Sequence, residues 1–345
     1  MTRAGKLREA RLAAALGQAL GLTARCLVAV GVVAQLAAAQ QAVFPKTRNA
    51  ALRYWMAFAL MQDPPADKGT QELLESVAEG RAAWNEPRLG PLIDQNTGAI
   101  QTMLRATRLP ECNWGLEYDL GPETPLAHLP KARVMARLNV LYGMRLAAKH
   151  DDAGAADAWL AGLRFAQDLA QGGSLIGALS AKAAMTADLN ALTHAVENGL
   201  LEDASLERVE HTVRALPSYG FDWSLSISSE FFGEEMSLKQ LAESPDPNLL
   251  YKQWFGEAAS GSSVVPSASV INQWHSLTHQ VLEAFGRPVP ESKERLAKIQ
   301  RDIASLSPTL RQITPSLTRV EDNRGQIETA RQNLLHAIEA HRRHP

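Results

Sequence analysis

The sequence predicts an all-α fold, and three observations predict it. Apolar side chains recur at every third or fourth position from about residue 49 onward, the spacing of a helix face. No stretch alternates Val, Ile or Thr with polar residues; "SSVVPSASV" comes nearest, and Pro266 cuts it. Short connections rich in Gly, Asp, Asn and Pro punctuate the periodic segments, as helix ends require. The expected architecture is an irregular bundle, or solenoid-like array, of antiparallel helix pairs forming a single domain over residues 40–345.

The spacing places helices over 49–61, 70–84, 91–107, 130–149, 154–171, 174–198, 205–215, 222–243, 270–285, 291–305 and 319–342. "HDDAG" separates the fourth from the fifth, and Gly172-Gly173 the fifth from the sixth. Gly199 stands where a left-handed cap closes the sixth, and Pro217 follows the seventh. Such short connections force the fourth, fifth and sixth helices to pack as antiparallel neighbours. Two longer stretches, 109–130 and 244–269, carry aromatic residues and read as irregular loops, the kind that more often serve function than spacing.

On the fifth helix Trp159, Leu163, Ala166 and Ala170 form the core stripe, with Asp157, Arg164 and Asp168 facing outward. The sixth has two apolar rows. Met185, Leu189, Leu192 and Val196 make one; Ala184, Ala187, Ala191 and Ala195 make the other, small enough for close approach of a neighbour. Lys182, Thr186, Asn190, Thr193 and Glu197 form its wet face. A helix apolar on two sides is central to its domain.

The chain before residue 40 reads differently. Arg3, Lys6, Arg8, Arg11 and Arg25 precede the uncharged run "CLVAVGVVAQLAAAQQA" (26–42), which contains the small-residue end Ala37-Ala38-Ala39. A basic start, a short apolar middle and an A-x-A end describe a secretory signal cleaved near Ala39. Fourteen helical residues rise only about 21 Å, short of the roughly 30 Å hydrocarbon core, so an uncleaved membrane anchor is the alternative. Export to the periplasm or beyond is the expectation, with membrane contact only through this segment. Without residues 1–39 the chain keeps 30 Lys+Arg against 36 Asp+Glu, an acidic balance that argues against nucleic-acid binding. Cys112 is then the sole cysteine and is expected to be a buried thiol, with no intramolecular disulfide.

The helix pair "RLNVLYGMRLAAKHDDAGAADAWLAGLRFAQDLAQ" resembles a tetratricopeptide unit, with Asp151-Asp152 in place of the usual Gly-Asp turn and no second copy at that period. "NAALRYWMAFALM", "GGSLIGALSAKAAM" and "ARQNLLHAIEAHRRHP" resemble segments of uncharacterised exported bacterial helical proteins. That resemblance implies the compartment and the fold class and no activity.

Known catalytic signatures are missing: "GGSLIG" lacks the second glycine of a nucleophile elbow and follows no strand, and Ser174 fits a helix cap. No cofactor motif is present. His275, His279 and Glu283 follow one another at i, i+4 and would offer a metal three ligands from one helix side, although they border the apolar stripe of Trp274, Leu277, Val281 and Phe285. More informative are acids inside apolar stripes. Asp188 projects between the two rows of the sixth helix, and Asn139 lies likewise on the fourth. Glu234 sits in the apolar face of the eighth with Glu230 at its edge. A buried carboxylate must find a partner or keep its proton. Asp188 is expected to take hydrogen bonds from an Arg or from Asn139. Glu230 and Glu234 are the candidate acid–base pair, and Asp188 a further catalytic candidate, with Tyr219, Trp223 and Trp254 as aromatic walls.

Two functions fit. The preferred expectation is a non-catalytic helical protein of the cell envelope, an interaction scaffold or small-ligand binder whose partner is not specified. The alternative is an all-helical glycan hydrolase or lyase, which needs two carboxylates facing across a cleft.

Overall fold

In a computed structural model the structure describes residues 47–256, 265–306 and 308–343. The signal reading of residues 1–39 lies outside them. Among the described residues there is no strand, only one isolated bridge between Asn49 and Glu111. The all-α expectation holds.

Thirteen α-helices are described: α1 Ala50–Leu60, α2 Lys68–Ala78, α3 Glu86–Ala106, α4 His128–Ala148, α5 Asp152–Ala170, α6 Leu175–Glu197, α7 Asp203–Ala215, α8 Trp223–Glu243, α9 Pro247–Phe255, α10 Ala268–Phe285, α11 Val289–Ile303, α12 Pro308–Ile313 and α13 Leu317–Arg343. Local chemistry explains their starts. Asn49, Asp67, Asn85, Asp151, Ser174 and Asp246 each accept a backbone N–H of the following turn with their side-chain oxygen. The "HDDAG" turn closes because His150 takes φ 62° and lets the Asp151 N–H reach Leu146 O at 3.0 Å.

Two corrections concern loops. Residues 244–269 are not one irregular loop: Asp246 caps, and Pro247 opens, the two-turn helix α9, whose Tyr251 packs on Leu241 of α8. The 109–130 stretch holds a 3-10 segment, Tyr118–Glu123, pressed against α8. Both elements are too short for a 3.6-residue repeat to reveal.

α6 is the central helix. It packs against α4, α5, α8 and α13. Met185, Leu189, Leu192 and Val196 are buried, as are Ala184, Ala191 and Ala195. The α4–α5 crossing is tight because Gly143 carries no side chain: a Cβ there would lie 2.3 Å from Trp159 Nε1, which donates to Val140 O at 3.2 Å. α13 is fastened through Arg324, buried beside its own-helix partner Glu321 (2.7 Å); the Arg324 guanidinium lies over the Tyr219 and Phe285 rings and donates to Phe285 O at 3.3 Å.

Candidate functional site

Two aspartate carboxyls are sealed in the interior. Asp188 on α6 is 0% exposed and faces Gly162 of α5. Asn139 of α4 is within 3.4 Å of it, while its Nδ2 donates more closely to Ala158 O at 2.8 Å. The expected Asn139 contact is present, and no Arg hydrogen bond to Asp188 accompanies it. Burial pushes the Asp188 carboxyl well above the usual carboxylate range, against the lowering effect of the Asn139 contact.

The second is Asp168, and here the wheel misleads. It was expected to face outward; it is fully buried. Tyr54 of α1 donates its hydroxyl to Asp168 Oδ2 at 2.6 Å, and Arg164 lies 3.0 Å from Oδ1. Burial raises the carboxyl to about 6 despite both partners, and the same surroundings push the Cys112 thiol up to about 12. Asp157, on the same side of α5 three turns earlier, does stay exposed and pairs with Arg208. From α1, Tyr54 reaches Asp168 and Phe165 near the C-terminal end of α5.

Glu230 and Glu234 stand one turn apart on an unbroken α8, half-buried against the start of α6. Glu230 Oε2 accepts the Leu175 N–H at 3.0 Å, so it caps the central helix beside Ser174. Tyr118 donates its hydroxyl to Gly172 O in the same corner. Glu234 Oε2 has no hydrogen-bond partner, and burial, aided by the charge of Glu230, lifts that carboxyl to about 8. The pair does not face itself across a cleft, since both members leave the same helix in the same direction.

The three aromatic candidates do not form one wall. Trp223 is in the core, stacked on Phe221; Tyr219 lies under Arg324; Trp254 reaches toward Glu123. Nor do the three metal candidates converge. His275 lies 3.3 Å from Glu235, His279 is exposed, and Glu283 is held by Arg287 and Arg295. Among the described residues no group of three or more His, Cys, Asp or Glu side chains is placed to hold a metal ion.

A groove of about 430 Å³ lies elsewhere, between α2, α4 and α6. Its volume is that of a small-molecule site. Ala136, Ala184 and Ala187 floor it, so the small-residue row of α6 is partly open instead of wholly covered by a helix. Arg133 and Arg137 line it from α4, Lys182 from α6, Glu75 from α2 and Glu79 from just past the end of α2. Arg133 Nε donates to Ser180 Oγ at 3.1 Å, and Arg137 to Gln71 Oε1 at 3.0 Å; neither guanidinium meets a carboxylate among the described residues. Lys182 has no hydrogen-bond or ion-pair partner among the described residues, and burial lowers its pKa. Thr186 Oγ1, one turn on, is buried and also unpartnered. Three cations around an apolar floor, with one ammonium and one hydroxyl unused, suit a small ligand carrying an acid group. Sequence reading placed Lys182 and Thr186 on the wet face and passed over Arg133 and Arg137. The i, i+4 spacing on each helix was there to see, but the pairing of those two faces was not.

Comparison with family models, with curated proteins and with solved structures finds no match for this chain.

Proposed function

We propose that this chain is a non-catalytic helical protein of the cell envelope that binds a small acidic ligand in the α2/α4/α6 groove. The unpartnered Lys182 ammonium inside that groove, with Arg133 and Arg137 beside it, carries the reading. An ammonium gains little by being half-buried without a counter-charge, and a carboxylate or phosphate arriving there would supply one. Glu75 on the facing helix favours a ligand that also carries a donor or positive group, while Glu79, just past the end of α2, is already paired with Arg81. The helix pairs, read as a solenoid-like array, then serve as the rigid frame that holds the groove open. Export is inferred from the residue pattern of the first 39 positions.

The experiment is a calorimetric titration with a panel of small carboxylates, phosphates and amino acids at low ionic strength. At least one acidic ligand should bind, with affinity that falls as salt rises. Lys182→Ala should weaken it by about tenfold or more, the loss of one charge-assisted hydrogen bond. An unchanged affinity in that variant, or no binding anywhere in the panel, overturns the reading.

The rival glycan hydrolase or lyase has one observation in its favour, the proton held by Glu234 near neutral pH. It needs a second carboxylate across the substrate, and Glu230 is engaged with the Leu175 N–H.

A further inference from the structure

α1 is apolar on every side. Its sequence, Ala-Ala-Leu-Arg-Tyr-Trp-Met-Ala-Phe-Ala-Leu, has one charged residue, Arg53. Ala50, Ala51, Tyr54, Ala57 and Phe58 are buried against α3, α4 and the core. The opposite side carries Leu52 (56% exposed), Trp55 (40%), Met56 (60%) and Leu60 (55%), at i, i+3, i+4 and i+8. These are four of the eleven large apolar side chains the described residues expose, gathered on one helix of eleven residues. A helix hydrophobic all round belongs in a core or against lipid, and half of this one meets no core among the described residues.

The bed beneath the stripe is rigid. Trp55 stands edge-on to Phe58, Trp114 and His128, and Trp114 stacks on His128 at 4.5 Å. Asn49 ties the helix start to the Asn113 backbone through two hydrogen bonds of 2.9 Å. An exposed stripe held this firmly is presented, not left over from loose packing.

We infer that the Leu52–Trp55–Met56–Leu60 face of α1 lies on the surface of a lipid bilayer, its apolar side chains sunk among the acyl chains just below the headgroups. Two observations select lipid over protein. A helix of eleven residues is about 16 Å long and about 10 Å wide, a footprint on the order of 200 Å², far below the ~800 Å² per partner of a stable dimer. A bilayer sets no such threshold, because it accepts each apolar side chain separately. The second observation is position in the chain. Where the N-terminal segment stays uncleaved, the alternative that its composition also fits, the uncharged run 26–42 ends seven residues before Ala50, a tether of at most about 25 Å. Whatever leads that run to a membrane delivers α1 to the same surface. Trp55 and Arg53 suit the headgroup depth, where an indole and a guanidinium are both accommodated.

The test is a depth measurement on the full chain reconstituted into phosphatidylglycerol/phosphatidylcholine vesicles. In a Cys26→Ala background, Met56→Cys or Leu52→Cys carries an environment-sensitive fluorophore; Cys112 is buried and its thiol, pushed up to about 12, stays unlabelled. Gln326→Cys on α13 is the control site. The expected result is a blue-shifted label at 52 and 56, quenched about twofold or more by a lipid-borne quencher at the ~5–10 Å depth of interfacial helices, with the label at 326 quenched only from water. A label at 52 and 56 quenched from water like that at 326 overturns the inference. So does a label shielded from both quenchers: shielding that varies with the protein-to-lipid ratio would mean a second copy on this face, and constant shielding would mean the chain's own apolar run.

Discussion

Gly162→Ala should destabilise the fold by about 2–3 kcal/mol, against the usual sign for that substitution in a helix. In an open helix interior, alanine in place of glycine stabilises by roughly 1 kcal/mol. Here the added Cβ would lie 2.2 Å from Asp188 Oδ2 and 2.4 Å from Cγ. An aspartate is short, α5 and α6 are closely packed along their length, and the carboxyl has no exposed direction in which to retreat. Overpacking therefore wins over propensity. The same geometry predicts the cure. With Asp188→Ala added, the carboxyl is gone, the new methyl fills part of its space and the propensity gain returns. The double variant should recover most of the loss, a coupling on the order of 2–3 kcal/mol between two positions in contact. Urea unfolding of the four chains at one pH measures it. Additive effects, or a neutral Gly162→Ala, would show that Asp188 does not fill the notch Gly162 leaves.

The second large effect is on pH. Glu234 holds its proton to about 8 in the folded protein against an ordinary 4.5. A group whose folded pKa is raised adds stability that is fully present below the unfolded value and is lost as pH rises through the folded one. The Glu234 contribution is thus complete below about 4.5 and gone above about 8. Asp168, raised from 3.8 to about 6, loses its share over a lower window, and Asp188 acts in the same direction. Glu86 acts oppositely. Arg145 holds its carboxyl down to about 2, so its contribution is present above about 4.5 and lost only as pH falls toward 2. The fold should be most stable in mildly acidic solution and weaken toward pH 8. Glu234→Gln removes the ionisation. Allowing for the partial exposure of Glu234, it should leave stability at pH 4.5 nearly unchanged and raise it at pH 8.5 by about 2–3 kcal/mol. Unfolding curves for both chains at pH 4.5, 6.5 and 8.5 decide; parallel pH profiles would mean that water reaches Glu234 freely.

Reading residues in order goes far with this protein, and its failures share a form. The buried Asp188 follows from a wheel drawn on one helix, and the buried Cys112 from its being the sole cysteine after residue 39. Asp168 fails on the same kind of wheel, because it lies in line with exposed Asp157 and only the arrival of Tyr54, 114 residues away, separates their fates. Tyr219, Trp223 and Trp254 fail as a wall because nearness in sequence put them together, whereas Arg324, Phe221 and Glu123 claim them one by one. His275, His279 and Glu283 do share a helix side, yet Arg295 from α11 and Glu235 from α8 take two of the three.

The sequence by itself determined eleven of the thirteen described helices, most of their ends and, Asp168 apart, which side of them turns inward. Backbone hydrogen bonds four residues apart, cap oxygens three residues away and a 3.6-residue apolar repeat are local quantities. Only the tertiary structure decided which polar faces meet. That meeting made a groove from Lys182, Arg133 and Arg137, sealed Asp168 under α1 and left the other side of α1 bare. Packing among helices depends on summed side-chain shape over many distant residues, and no periodicity along the chain encodes that sum.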